Sequence, residues 1–273
     1  MKTIKHSLQV TIALLLFSNP ALSQFIFQDD FAAGSSANWA TRFVNGASVQ
    51  FSGALILTTD VSNPQPVAAY RSFNSVSLAD GEVLRMTFDL SASSTNAHNT
   101  FPRFALGFAD PLITGTSGNL AVPLAGYHAS LPINTTWPQI VSWVNASEAT
   151  PLNFFNSATT LVGIGPSFPA GVSVTSVPKP VVWEIARIGN DLTFSGSLDG
   201  FSFSAGSATG ADVLPGFQFN TVGLAYGYEG NTSATYDNFT LEVVPEPSTV
   251  ALLLGGLMVT FFAIKRRHAK GRA

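Results

Sequence analysis

Between residues 24 and 244 apolar and polar positions alternate with a period of two, and the 3.6-residue spacing of an amphipathic helix is absent. Residues 82–90 show it most cleanly: Leu84, Met86, Phe88 and Leu90 fall on one face, and Val83, Arg85, Thr87 and Asp89 on the other. Similar or aromatic-rich runs at 25–31, 54–59, 67–73, 104–108, 139–144, 172–177, 181–188, 192–195, 201–203, 217–226 and 235–244 predict further strands. Gly, Pro, Asn and Ser clusters separate them. Asn63-Pro64-Gln65-Pro66 reads as one turn, and Gly189-Asn190-Asp191 as a hairpin turn whose Gly and Asn tolerate positive φ. About a dozen short strands imply an all-β, two-sheet antiparallel sandwich over residues 24–243.

The two ends break this pattern. Residues 1–23 read as a secretory signal peptide: Lys2 and Lys5 precede a mostly apolar stretch at 8–17, Asn19-Pro20 breaks the helix, and Ala21-Leu22-Ser23 supplies small residues at a cleavage site. Signal peptidase would cut after Ser23 and leave Gln24 as the mature N-terminus. At the other end, residues 250–264 carry no charge, and Ser248 and Thr249 extend the run to seventeen residues. A helix that long covers about 26 Å, just short of the ~30 Å hydrocarbon core, so residues 248–264 are expected as a transmembrane helix. The basic tail, 265–273, contains Lys265, Arg266, Arg267, Lys270 and Arg272 and places that end in the cytoplasm. Pro245 and Pro247 disfavour helix before the membrane and predict an extended stalk.

Pro245-Glu246-Pro247-Ser248-Thr249, an apolar run and Arg266-Arg267, in that order over 244–273, resemble the PEP-CTERM sorting signal of exported Gram-negative proteins. The resemblance implies recognition of the Pro-Glu-Pro element by exosortase, a membrane protease-transpeptidase, and only transient anchoring in the inner membrane. It implies a destination at the cell surface or in an extracellular, polysaccharide-rich matrix or biofilm. It types the route and leaves the cargo open.

Setting both ends aside changes the charge. The chain as a whole carries −3, but residues 24–244 hold six Lys/Arg against fifteen Asp/Glu, a net of −9. An acidic body argues against nucleic acid and anionic membrane surfaces as partners. Charged residues are 11% of the chain against about 25% in an average domain, and Ser, Thr, Asn and Gly take their place. No cysteine is present, so disulfides, thiolate metal sites and cysteine nucleophiles are excluded and 22 Phe must supply much of the core.

Three segments resemble the concanavalin A-like jelly roll of lectins, laminin-G-type modules and some glucanases. They are Asp29-Asp30-Phe31 with Trp39 downstream, the hairpin from Trp183 to Phe194 with Ser197-Leu198-Asp199-Gly200, and the closing strand from Ala234 to Leu241. The resemblance implies paired first and last strands, which would bring Asp29-Asp30 near Asp237-Asn238. Those four are oxygen donors suited to a structural Ca²⁺ ion; the competing reading is that they end strands and cap turns. Otherwise no cofactor is implied.

No catalytic residue is assigned. Gly-x-Ser-x-Gly is absent, His98 and His128 read as loop residues, and the glutamates 82, 148, 184, 229 and 242 form no cluster able to flank a glycosidic bond. Carbohydrate binding is the leading expectation, with exposed aromatics as platforms. Trp137, between Thr136 and Pro138, and Trp39 are the candidates, whereas Trp143 and Trp183 lie in strands and are expected in the core. A glycan-acting hydrolase and a purely structural matrix protein are the alternatives. Mass spectrometry of the protein from an exosortase-containing host should find a chain that begins at Gln24 and ends near residues 245–247; an intact Ala273 would refute processing.

Overall fold

The computed structural model describes residues 23–43, 46–60, 67–93, 102–109, 121–122, 124–131, 139–143, 152–153, 159–162, 173–210, 213–227 and 232–245. The signal segment before Ser23, Trp137, His98, the turn at 63–66 and everything after Pro245 lie outside them. Among the described residues no helix is long and apolar enough to cross a membrane.

The described residues form two antiparallel sheets, as the alternation predicts. One has the order β15-β14-β13-β6-β17-β4-β3, with β1 also paired to β17. These strands are β1 (Gln24–Asp29), β3 (Ser48–Phe51), β4 (Leu55–Thr58), β6 (Glu82–Ala92), β13 (Lys179–Ile188), β14 (Asp191–Leu198), β15 (Phe201–Ala208) and β17 (Ser233–Pro245). The second sheet has the order β12-β10-β9-β7-β16-β5-β2. Its strands are β2 (Ala40–Arg42), β5 (Val67–Ser77), β7 (Arg103–Ala109), β9 (Leu124–Ser130), β10 (Gln139–Trp143), β12 (Thr159–Val162) and β16 (Gln218–Tyr226). A two-stranded ribbon of β8 (Ala121–Val122) and β11 (Leu152–Asn153) completes the set.

Two expectations change. Of the run at 172–177, the described residues 173–177 form only an isolated bridge at Val174. His128, expected in a loop, lies in β9, a strand whose Gly126 and short apolar side chains hide the alternation.

Strand β17 organises the first sheet. One edge pairs with β6 from Ala234 to Pro245. The other is divided: β4 takes Ser233–Tyr236, and β1 takes Phe239–Val243. The register on β6 slips between Asp237 and Thr240, where Asn238 adopts φ 52°. Asparagine tolerates the left-handed region, and the resulting bulge lets one strand serve two coaxial partners. Pro245 faces Glu82, so the sheet extends two residues past the expected boundary at 243 and includes the proline expected to open a free stalk.

Aromatic rings bind the sheets together. Phe27 stacks on Phe239 (5.4 Å), Phe239 on Phe88 (6.3 Å), and Phe88 meets Phe104 edge-on at 5.2 Å. Phe104 of the opposite sheet then meets Trp183 at 5.2 Å, and Trp183 is fully buried, as its strand position predicts. Such contacts add about 0.5–1.5 kcal/mol each beyond area burial. The Tyr236 hydroxyl donates to the Ala225 carbonyl at 2.7 Å, tying β17 to β16 across the core.

In the seven-stranded sheet β7 and β9 approach closely at the Gly107–Gly126 pair. A Cβ on Gly126 would lie 2.5 Å from the Leu106 carbonyl oxygen and 2.6 Å from Gly107 Cα. Gly126→Ala should therefore force the strands apart and lower stability by about 2 kcal/mol in chemical denaturation; an unchanged midpoint would contradict this packing.

Candidate functional site

The first sequence-selected cluster sits where β1 ends. Asp29 is 5% exposed, and its side chain turns into the sandwich. Its Oδ1 accepts the Phe31 amide (2.8 Å); its Oδ2 accepts Trp39 Nε1 (2.9 Å) and Arg71 Nη1 (2.6 Å). The Asp29–Phe31 bond closes a tight turn that holds Phe31 at φ 52°, unusual for a bulky residue, and the Phe31 carbonyl accepts the Gly53 amide. A 3-10 turn, Ala33–Asn38, then delivers Trp39 back onto Asp29. Arg71 comes from β5 of the other sheet and also stacks on Phe27, 3.9 Å from the ring centroid. Burial pushes the Asp29 carboxyl up, but bonds from Ser35, Trp39 and the Phe31 amide, with the Arg71 charge, outweigh it and hold the group below its usual value.

Two expectations are corrected here. Trp39 is 5% exposed, packed against Phe31 and Phe239, and its N–H is spent on Asp29, so it offers no platform to a sugar. Asp29 spends both oxygens on protein donors. Asp30, exposed, caps the Ala32 amide at 3.1 Å. It borders a polar cleft of about 400 Å³ with Gln28, Asp29, Ser35, Asn38 and Arg71.

The pairing of first and last strands occurs, yet it does not gather the expected calcium ligands. Asp29 faces Phe239 in the register and points into the core. Asp237 instead faces Asp89 on the outer side of the sheet, where Asn238 Nδ2 donates to Asp89 Oδ2 (2.8 Å) and Asp237 Oδ1 accepts the Asn238 amide (2.7 Å). Asp29 therefore lies on the opposite face of the sheet from Asp237 and Asn238. Among the described residues no group of three His, Cys, Asp or Glu side chains could hold a metal ion.

The register reveals what spacing could not. Among the described residues, every Asp and Glu within a strand belongs to the eight-stranded sheet: Asp29, Glu82, Asp89, Glu184, Asp191, Asp237 and Glu242. There Arg85 bridges Glu184 (2.7 Å) and Glu242 (3.5 Å). The seven strands of the other sheet contain no carboxylate. In the backbone register Arg42 faces Ala68, Arg103 faces Ala225, His128 faces Ala105 and Trp143 faces Gly126; Ala68, Ala105 and Ala225 are fully buried. No sequence signal marks this pairing, because its residues come from six strands.

At the exit of β17, Ser23 and Gln24 lie beside the start of the sorting signal. Gln24 pairs with Val243, and the Ser23 hydroxyl donates to Glu242. Residues 243–267 match the PEP-CTERM protein-sorting motif. The chain carries a PEP-CTERM sorting signal. That signal implies an exported protein, carried across the inner membrane of a Gram-negative bacterium and processed by exosortase. Glu246, Pro247, Arg266 and Arg267 lie outside the described residues.

No curated protein matches the chain in sequence. Solved structures match it in fold. The potassium-bound carbohydrate recognition domain of Emp46p is similar over 82% of this chain and 97% of its own, at 11% identity and a TM-score of 0.51. An endo-1,3-beta-glucanase from Streptomyces sioyaensis is similar over 84% and 99%, at 17% identity and a TM-score of 0.50. A galectin-like-fold protein from Bacillus subtilis covers 81% and 97%, at 11% identity and a TM-score of 0.49. The two-sheet sandwich is thus a jelly roll, and its structural neighbours have lectin-like, concanavalin A-like folds.

The Asp29 knot has a pH signature. Because its folded pKa is depressed, its stabilisation is fully present above the unfolded value of about 4 and is lost as pH falls through the lower folded value. Asp29→Asn should cost about 3 kcal/mol at neutral pH, since it leaves Arg71 without its charge partner. Acid denaturation below about pH 4 should be flatter in that variant than in the parent; equal slopes would show that Asp29 is not a linked group.

Proposed function

We propose that the jelly roll binds polysaccharide without cleaving it, at the cell surface or in the extracellular matrix to which its sorting signal delivers it. The observation that carries this reading is the seven-stranded sheet, whose described strands hold no carboxylate and whose register sets Arg42, Arg103, His128 and Trp143 opposite the small residues Ala68, Ala225, Ala105 and Gly126. Glycoside hydrolysis needs two carboxyl groups flanking the scissile bond, and among the described residues no strand of that sheet supplies one. Guanidinium, imidazole and indole groups are instead the chemistry of sugar recognition, through bonds to hydroxyls and stacking on C–H faces. The neighbouring folds include both a carbohydrate recognition domain and a glucanase, which supports a glycan as the ligand class.

The purified protein should be retained by at least one member of a glycan panel without releasing reducing ends. Arg103→Ala should weaken retention about tenfold, the loss expected for one charge-assisted bond of 1.5 kcal/mol or so. Reducing-end release would establish the hydrolase alternative. A complete lack of retention would favour a structural matrix role.

A further inference from the structure

Strands β1 and β5, from different sheets, border one side of the sandwich, and both are irregular there. On β1, Phe25 faces Glu242 and Phe27 faces Leu241, which leaves Ile26 as an extra residue. On β5, Ser72 faces Thr221 and Val76 faces Phe219, so Phe73, Asn74 and Ser75 lie opposite the single Asn220. Among the described residues β1 pairs only with β17, and β2 covers β5 only at 68–70, so both bulges sit on open edges. A cleft of about 400 Å³ lies between them, lined by residues 24–27 and 71–76. Arg71 also lines the polar cleft beside Asp30. The two clefts join into one trough that follows the chain from Gln24 to Asp30, about 20 Å at 3.3 Å per residue.

An open edge ordinarily invites another strand, which would read backbone N–H and C=O groups. Bulges disrupt that ladder, and the inward Asp29 carboxylate guards the end of β1 in the same way. Recognition in the trough is therefore left to side chains. One end is aromatic: Phe25 is 55% exposed, and Phe73 packs on Phe27 at 6.1 Å. The other end is polar, with the exposed amides of Gln28 and Asn38 beside Asp30. Each amide offers both donors and an acceptor. Between the two ends, Arg71 lies over Phe27 and gives Nη1 to Asp29. That ion pair cancels its own charge and leaves Asp30 as the net charge of the lining.

We infer that the trough is a second binding site, for an uncharged oligosaccharide. A pyranose C–H face lies on Phe25 beside Phe73, and ring hydroxyls bond to Gln28, Asn38 and Asp30. A uronate-rich chain would meet the Asp30 carboxylate and is disfavoured. The inference rests on a glycan being the ligand class, as proposed for the seven-stranded sheet, but places a site away from that sheet's pairing of β7, β9 and β10.

Hydrogen–deuterium exchange of the exported protein with hexasaccharides of glucose, mannose, galactose and xylose would locate the site. Amides at 24–30 and 71–76 should exchange about threefold more slowly with at least one of them. A hexauronate of equal length should protect them less. Phe25→Ala and Asn38→Ala replace exposed side chains, and each should weaken binding about tenfold with an unchanged denaturation midpoint. Protection confined to 103–109 and 124–130 would overturn the trough and keep the seven-stranded sheet as the glycan site. Protection of the trough alone would uphold it and count against that sheet. No protection at either place would overturn both. Equal or stronger protection of the trough by the hexauronate, or by a strand-forming peptide, would overturn the assignment of an uncharged sugar.

Discussion

The two-edged hydrogen-bond ladder along β17 is the constraint on which the rest of the molecule depends. A strand with partners on both sides has no free edge, and its inner face carries Tyr236, Phe239 and Leu241 into the centre of the core. The bulge at Asn238 lets β4 and β1 share one edge of that strand. This places the chain's first strand beside its last and sets Phe27 on Phe239. From that contact the ring series runs to Trp183 through Phe104 of the opposite sheet, so the pairing of β1 and the packing of the two sheets are one cooperative unit.

The Asp29 knot closes the same unit from the side. A carboxylate taken out of water is stabilising only when its oxygens are satisfied, and here an amide, an indole and a guanidinium do so. Its partners come from the adjacent turn, from Trp39 and from β5 of the other sheet. The knot therefore fixes the direction of the chain after β1 and the approach of β5 in a single interaction. Arg85 with Glu184 and Glu242 is different in kind: those side chains are partly exposed, and such pairs contribute about 1 kcal/mol or less.

Local pattern carried the fold and missed the site for identifiable reasons. The alternation at 82–90 and the Gly189-Asn190 turn are short-range signals, and β6 and the β13–β14 hairpin lie where they predict. Strand β9 was hidden because Gly126 and His128 occupy positions where a half-buried strand usually shows bulk. Trp39 misled because the acceptor for its N–H lies ten residues away and reaches it only through a 3-10 turn. Arg71, the knot's other member, is 42 residues from Asp29 with nothing in the intervening sequence to link them. The segregation of the seven strand carboxylates onto one sheet is a property of pairing, invisible until they are placed in the register.

The exit of the chain from β17 also has a mechanical meaning. A pull applied at Pro245 acts along the axis of a strand bonded to β6 on one edge and to β1 on the other. Such a load shears many hydrogen bonds at once, whereas a pull across an edge strand would open them one after another. While tethered by its sorting signal, or linked to the surface at the same point, the sandwich bears force in the direction in which its ladder is strongest.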